Sequence, residues 1–288
     1  MAWTLTEDLD EFAAAAGDFL LSRPVTNTVQ LTALATLRAR GVAAYGGAAL
    51  FGWWSSAGRV DGVFMVTPPY PALLTPLPDQ PARLVAAALA TALAARDMSL
   101  AGVNAEQDTA AAFAGAWGEL TGAAAEVHRR SRLFRLDQIV PPDPQPAGEA
   151  RVATASDREL LELWSDAFGR EVDDLGHRGQ VVDDRLSYGG VTLWEVGGDP
   201  VAMAGVTRTV AGVTRVGPVY TPPGQRKRGY GGAATVAVSQ AALAAGAQHV
   251  VLFTDLANPT SNALYQRLGY RPLNDSVVLR FKRVIRRS

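Results

Sequence analysis

Between residues 224 and 232 the chain sets Gly224, Gly229, Gly231 and Gly232 around three consecutive cations, Arg226, Lys227 and Arg228. Glycines let successive backbone amides turn toward one point and let an anion come close. The alanine-rich stretch that follows reads as a helix, whose N-terminus adds unpaired amides and the positive end of its dipole. Lys227 is one of only two lysines in the chain, the other being Lys282. Such a loop is suited to a phosphate or pyrophosphate. Further on, Asn258-Pro259 opens another helix, on which Asn262 and Tyr265 lie three residues apart and can address one ligand.

Two phosphate-binding designs compete for the loop. A P-loop needs Lys-Ser/Thr after its last glycine, and Tyr230 and Gly231 follow Gly229 instead. A dinucleotide fingerprint is matched in form by Gly229-x-Gly231-x-x-Ala234, with Asp255 closing the next apolar run about 20 residues on. That fingerprint starts directly after a strand, however, and here Pro222-Pro223 and the basic run intervene. The hairpin-like strands around it also argue against a parallel sheet. It stands as the alternative.

Other chemistries are poorly supplied. The chain has no cysteine, which removes disulfides and thiolate nucleophiles. His128, His177 and His249 are far apart and no metal is expected. The adjacent pairs Asp173-Asp174 and Asp183-Asp184 do not converge on one helix face and read as surface.

The elements that must position the loop are legible on both sides of it. Arg151–Ala153 reads as a strand, and Ser156-Asp157 caps a helix bearing Leu160, Leu161, Leu163, Trp164 and Phe168. Val191–Val196 and Val201–Val206 are strands joined at Gly197-Gly198-Asp199. Val213–Tyr220 is a strand, Gly232–Ala245 a helix, His249–Thr254 a strand, and Val277–Val284 a last strand. Leu264 and Leu268 face the core from the helix that Gly269 ends.

Arg226-x-x-Gly229-x-Gly231 after a strand resembles the Arg/Gln-x-x-Gly-x-Gly/Ala pyrophosphate motif of the GNAT superfamily of acetyl-CoA-dependent N-acetyltransferases. The preceding Gly217-Pro218-Val219-Tyr220-Thr221 and the following Asn258–Tyr270 segment match in order and spacing, so the resemblance covers residues 150 to 284. It implies acetyl-CoA as co-substrate and direct transfer of the acetyl group, in a ternary complex, to an amine of a small-molecule or peptide acceptor. It implies that Val219, Tyr220 and Thr221 run along the pantetheine arm. Arg226, Lys227, Arg228, Gly229, Tyr230, Gly231 and Gly232 would surround the pyrophosphate. Asn258 and Asn262 would hold the helix end and contact the CoA arm. Tyr265 falls on the tyrosine that protonates the departing thiolate, a role suited to a phenol of pKa ~10. The strand glutamate that many members use as a base is missing from Val213–Tyr220. Glu195, in the neighbouring strand, and Asp255, at the end of the next one, are the candidate bases, with a base relayed through water as the third option. A CoA-binding or sensing protein without turnover is the other reading this leaves.

The first half echoes the second. A shift of 154 positions aligns Thr67-Pro68-Pro69 with Thr221-Pro222-Pro223, Asn104 with Asn258 and Gly58 with Gly212. At that shift the cations and glycines become Ala72, Leu73, Leu74, Thr75 and Leu77, and Ala111 replaces Tyr265. The expected fold is therefore α/β, with two tandem acetyltransferase-like domains, each a mixed, mostly antiparallel twisted sheet flanked by helices. Residues 1–140 form a degenerate copy, 141–148 a Pro-rich linker, and 149–288 the acetyl-CoA-binding domain. Phe51, Trp53, Trp54 and Tyr70 are expected either to line an acceptor cleft that the first copy helps to shape or, as aromatic side chains more often do, to pack its core.

The chain as a whole sets limits. A net charge of −1 does not suit nucleic acid or an anionic membrane, and the run Arg280, Lys282, Arg283, Arg286, Arg287 reads as a solvated strand end. Leu84–Ala95 is too short to span a bilayer, and the acidic start lacks a basic n-region. A cytoplasmic protein is expected.

Overall fold

The computed structural model describes residues 2–77, 82–172 and 179–283. The first half forms β1 (Ala2–Thr6), α1 (Leu9–Ser22), α2 (Thr28–Arg40), β2 (Leu50–Ser56), β3 (Arg59–Val66), β4 (Ala72–Leu74), α3 (Ala82–Ala94), β5 (Gly102–Ala105), α4 (Gln107–Thr121) and β6 (Ala123–Leu136). The second half repeats that order as β7 (Glu149–Val152), α5 (Arg158–Glu171), α6 (Gly179–Leu186), β8 (Val191–Val196), β9 (Asp199–Val206), β10 (Val213–Tyr220), α7 (Tyr230–Ala244), β11 (His249–Asp255), α8 (Pro259–Arg267) and β12 (Tyr270–Arg283). Two units result. One holds Met1–Arg132, Asp255–Ala257 and the C-terminal stretch from Asn274; the other holds Leu133–Thr254 and Asn258–Leu273.

In the first unit β1 to β4 pair antiparallel in sequence order, β4 and β5 pair parallel, and β12 pairs antiparallel with β5 from Val277 to Arg280. In the second unit β7 to β10 pair antiparallel and β10 pairs parallel with β11. Each is the mixed, mostly antiparallel sheet expected from the sequence.

β8 and β9 are buried on both faces, which is why they read as near-continuous apolar runs. Leu193 of β8 joins Leu161 and Trp164 of α5 in one core, while the adjacent Trp194 joins Ala234 and Val238 of α7 in another. The alternation of side chains along a strand sends neighbours to opposite faces. A reciprocal capping box between Thr154 and Asp157 closes a short 3-10 turn, Ala155–Asp157, which runs directly into α5, where the sequence suggested a cap at Ser156-Asp157.

The duplication holds in element order, but the shift of 154 does not. Ala57-Gly58 joins β2 to β3, and Gly197-Gly198 joins β8 to β9, all four with positive φ as a tight hairpin turn requires. Those turns are 140 positions apart. Thr67-Pro68-Pro69 accordingly follows β3, the counterpart of β9, whereas Thr221-Pro222-Pro223 follows β10. Ala72–Leu74, set by the shift of 154 against the basic run, is instead strand β4, the counterpart of β10. Between β4 and α3, where the second half has its glycine loop, the sequence at 75–81 is Thr-Pro-Leu-Pro-Asp-Gln-Pro, without glycine or cation, and 78–81 lie outside the described residues. Counted from each helix start, Tyr265 of α8 and Phe113 of α4 are both seventh and both buried, so a ring without a hydroxyl is the counterpart, not Ala111.

Phe51 is fully buried and stacks on Phe12 at 4.9 Å, and Trp54 lies 6.0 Å from Trp3, so these two pack the first core. Tyr70 is half-exposed, edge-on to Tyr45. Asp183 pairs with Arg158, Asp184 with Arg208, and Lys282 with Glu126. Asp173, Asp174, His177, Arg286 and Arg287 lie outside the described residues. Among the described residues no cluster of His, Asp and Glu is arranged to hold a metal, and no helix is long and apolar enough to cross a membrane.

Candidate functional site

The site begins where two strands part. β10 and β11 pair from Val213↔His249 to Val216↔Leu252, and no further pair is formed although both strands continue. On its other side β10 pairs Val216 with Val206 and then Val219 with Ala204. Gly217 and Pro218 thus stand opposite the single residue Gly205, which is a β-bulge. Glycine weakens a strand and proline withholds a ladder amide, so this dipeptide is where bending costs least. Beyond the bulge, Val219 to Thr221 present the edge toward β11 without a strand partner there.

The glycine loop closes the same end. A 3-10 turn at Pro223–Gln225 leads to Arg226; Lys227 and Gly229 then take positive φ of 63° and 82°. Gly229 is the N-cap of α7 and no side chain caps that helix. α7 lies directly on the end of β10: a Cβ at Gly231 would meet the Thr221 hydroxyl at 3.0 Å and the Val219 side chain at 3.7 Å. Arg226 donates from Nε to the Thr221 carbonyl at 2.9 Å, pairs with Glu171 at 2.5 Å, and lies 5.9 Å from the Tyr220 ring centroid. Lys227 and Arg228 are exposed. Tyr230 differs from them, its ring buried in the α7 core.

The Pro-rich segment is laid against this loop. Val140 N donates to Leu268 O at 3.1 Å and Trp194 Nε1 to Ala147 O at 2.9 Å. Between them Pro142 sits on Gly232 and Pro146 on Gly229, 3.7 and 3.5 Å from where a Cβ would be.

α8 is tied down by both asparagines. Asn258 Oδ1 accepts from Ser261 N at 3.0 Å, Asn262 Nδ2 donates to Asn258 O at 2.7 Å, and Asn262 Oδ1 accepts from the Thr254 hydroxyl at 2.6 Å. The helix is thereby fixed to the end of β11. Tyr265 turns inward, edge-on to Tyr270 with centroids 6.0 Å apart, in the core that also holds Val216 and Leu252, the last pair before the fork. Burial pushes its phenol up to about 12. Tyr270 is raised too, chiefly by burial, with the Ser239 hydroxyl at 2.7 Å. Asn262 is thus engaged by Thr254 and Asn258, while Tyr265, three residues on, is buried in the core.

Glu195 is not brought to the fork. It lies on β8, two strands from β10, on the face of α5, and accepts from Arg151 Nε and Nη2 at 2.8 and 2.6 Å. The same guanidinium grips Asp157, which it holds down to about 2. Asp255 is exposed and its carboxylate accepts from Ala257 N at 2.8 Å, capping its own turn. The dinucleotide reading asks for a doubly wound parallel sheet; here β10 pairs parallel with β11, but β7 to β10 pair antiparallel.

Three features were not read from the sequence. The Gly217-Pro218 bulge had a signal, since both residues are out of place in a strand. Glu171 and Arg185 had none, because their contacts with Arg226 and with the Gly217 carbonyl, the latter at 2.8 Å, join distant positions.

Residues 151–270 match the family model for the acetyltransferase (GNAT) family, so the chain carries a GNAT acetyltransferase domain. No curated protein matches the chain in sequence. Among solved structures it is similar to a GCN5-related N-acetyltransferase from Sphaerobacter thermophilus, at a TM-score of 0.61 and 18% identity over 96% of this chain and 95% of that one. A GCN5-related N-acetyltransferase from Kribbella flavida gives a TM-score of 0.55 and 20% identity over 87% and 95%. A tandem GNAT protein from the clavulanic acid biosynthesis pathway gives 0.56 and 17% over 97% and 98%. These likenesses concern the fold, which is that of a tandem GNAT.

Proposed function

We propose that the protein transfers an acetyl group from acetyl-CoA to an amine of a small-molecule or peptide acceptor, at one site in the second unit. The observation that carries this is the fork: β10 leaves β11 after Val216, and the uncapped N-terminus of α7 closes the open end. A pantetheine arm would lie along Val219–Thr221 as an added strand. Its pyrophosphate would meet the α7 amides around Gly229, Gly231 and Gly232, with Arg226, Lys227 and Arg228 about it. The Tyr230 ring belongs to the core, so its share is the backbone amide alone.

In the reaction the amine nitrogen forms a bond to the thioester carbonyl carbon, and the Val219 N–H stabilises the oxyanion. The C–S bond then breaks, and the CoA sulfur takes the Tyr265 proton. A phenol held near 12 stays protonated at neutral pH and serves as a donor only. The amine loses its proton to water in the fork, and water restores the tyrosine. Glu195, clasped by Arg151, takes no part in this scheme. The first unit, whose sequence at 75–77 is Thr-Pro-Leu and which has Phe113 for the tyrosine, is a second copy without the chemistry.

The test is thiol release from acetyl-CoA across a panel of amines, read with a disulfide dye. A chain with no cysteine gives no background in that assay. Release that depends on one class of amine supports the transferase reading. Tight CoA binding with no release under any amine would make the protein a CoA-binding one instead.

A further inference from the structure

Arg185, in the last turn of α6, donates from Nη2 to the Gly217 carbonyl at 2.8 Å. That carbonyl belongs to the bulge, where Gly217 and Pro218 stand opposite Gly205. Gly217 has φ +147°, a conformation that residues with a side chain rarely adopt. Gly205 leaves the room required: a Cβ there would meet Gly217 O and Pro218 Cδ at 3.2 Å and Arg185 Nε at 3.4 Å. Three residues, one from each of α6, β9 and β10, thus fit together at the point where β10 departs from β11.

The consequence lies one residue on. Pro218 has no N–H, so the first amide after the bulge is that of Val219. Its direction depends on the rotation of the preceding peptides, and those are tethered through the Gly217 carbonyl. A charge-assisted hydrogen bond is shorter and stronger than a neutral one, and the last turn of a helix favours a cation. We propose that Arg185 is a positioning residue: it holds the bulge in the form that aims the Val219 amide at the acetyl carbonyl oxygen. This rests on the acetyl-CoA reading above and adds to it a residue that touches the strand but not the substrate.

The test reads the acetyl carbonyl itself. Acetyl-CoA labelled with ¹³C at the thioester carbonyl is bound to the wild type and to Arg185→Lys, Arg185→Gln and Arg185→Ala, and its stretch is followed by difference infrared spectroscopy. CoA affinity is measured in parallel. The wild type is expected to shift the band to lower frequency than in solution. Arg185→Ala loses that shift, Arg185→Lys keeps part of it, and CoA affinity stays within about twofold, because the pyrophosphate loop is untouched.

An unchanged band in folded Arg185→Ala overturns the proposal. So does a fall in CoA affinity that matches the loss of the shift, since Arg185 would then be holding the fold and not the donor. If Arg185→Ala melts below the assay temperature, Arg185→Gln, which keeps an N–H donor without the charge, decides the matter on the same two readouts. Failure of the wild type to bind CoA or acetyl-CoA is a different result: it removes the acetyl-CoA reading, and the role of Arg185 with it.

Discussion

Glu171, at the end of α5, holds Arg226 at 2.5 Å, so the first cation of the glycine loop is already engaged by a carboxylate. Both side chains are nearly half exposed, at 45% and 43%, and such a pair contributes about 0–1 kcal/mol. An incoming pyrophosphate has to displace or share that contact. Glu171→Gln is therefore expected to tighten CoA binding by about two- to fivefold at low salt, and Arg226→Ala to weaken it by about tenfold. Calorimetric titration at two ionic strengths checks both; equal affinities for Glu171→Gln and wild type would mean that Arg226 does not meet the phosphates.

Gly231 and Gly232 are adjacent but should fail differently. A methyl at Gly231 points at Thr221 and Val219, whereas one at Gly232 would meet Leu264 at 3.3 Å and Pro142 at 3.7 Å inside the core. Gly231→Ala should stay within about 1 kcal/mol of wild-type stability and lose at least about tenfold in CoA affinity. Gly232→Ala should lose about 1–3 kcal/mol of stability through overpacking. Denaturant unfolding beside CoA titration separates the two, and a Gly231→Ala that binds normally would count against the loop.

Tyr265→Phe keeps the ring against Tyr270 and removes only the hydroxyl. Turnover should fall by about 10²-fold or more with CoA affinity little changed. The phenol also reports on stability. Its folded pKa is raised to about 12 against an unfolded value of ~10, so its contribution is complete below pH ~10 and is lost as pH rises toward 12. Spectrophotometric titration should show tyrosines that ionise only above that range or on unfolding, with one fewer in Tyr265→Phe.

Arg151 ties Glu195 to Asp157 between β8 and the start of α5. Glu195→Gln should therefore leave turnover within about twofold, as expected of a group outside the proton path. Asp157 is held down to about 2 by Arg151, so its contribution, about 2 kcal/mol, is present above pH ~3.8 and is lost as pH falls toward 2. Asp157→Asn should flatten the acid limb of the stability curve. A large fall in turnover in Glu195→Gln would return that residue to the mechanism.

Much of this was legible in the residues. Val213–Tyr220 is read as a strand with the bounds it has, because apolar β-branched residues run up to a double proline. The Gly197-Gly198 turn and the Asn258-Pro259 helix start were equally plain, since each is decided by local backbone chemistry. The register of the duplication was not. Thr-Pro-Pro recurs by composition, and only strand pairing shows that Thr67 follows the counterpart of β9. Tyr265 was visible as a residue, but its depth was not, because helical spacing gives a face and not what covers it. Nor does sequence reveal that Pro142 and Pro146 rest on the loop, since that depends on where Leu268 and Trp194 hold the segment.

The central claim is a single acetyl-CoA site formed by the β10–β11 fork and the α7 loop. Calorimetric titration of the whole chain with acetyl-CoA, and in parallel with NAD, tests it most directly. One acetyl-CoA bound per chain, lost on reversing the charge of Arg226 and Arg228, with no binding of NAD, is the predicted result. Two acetyl-CoA molecules per chain, none at all, or affinity unaffected by that reversal at low salt would contradict it.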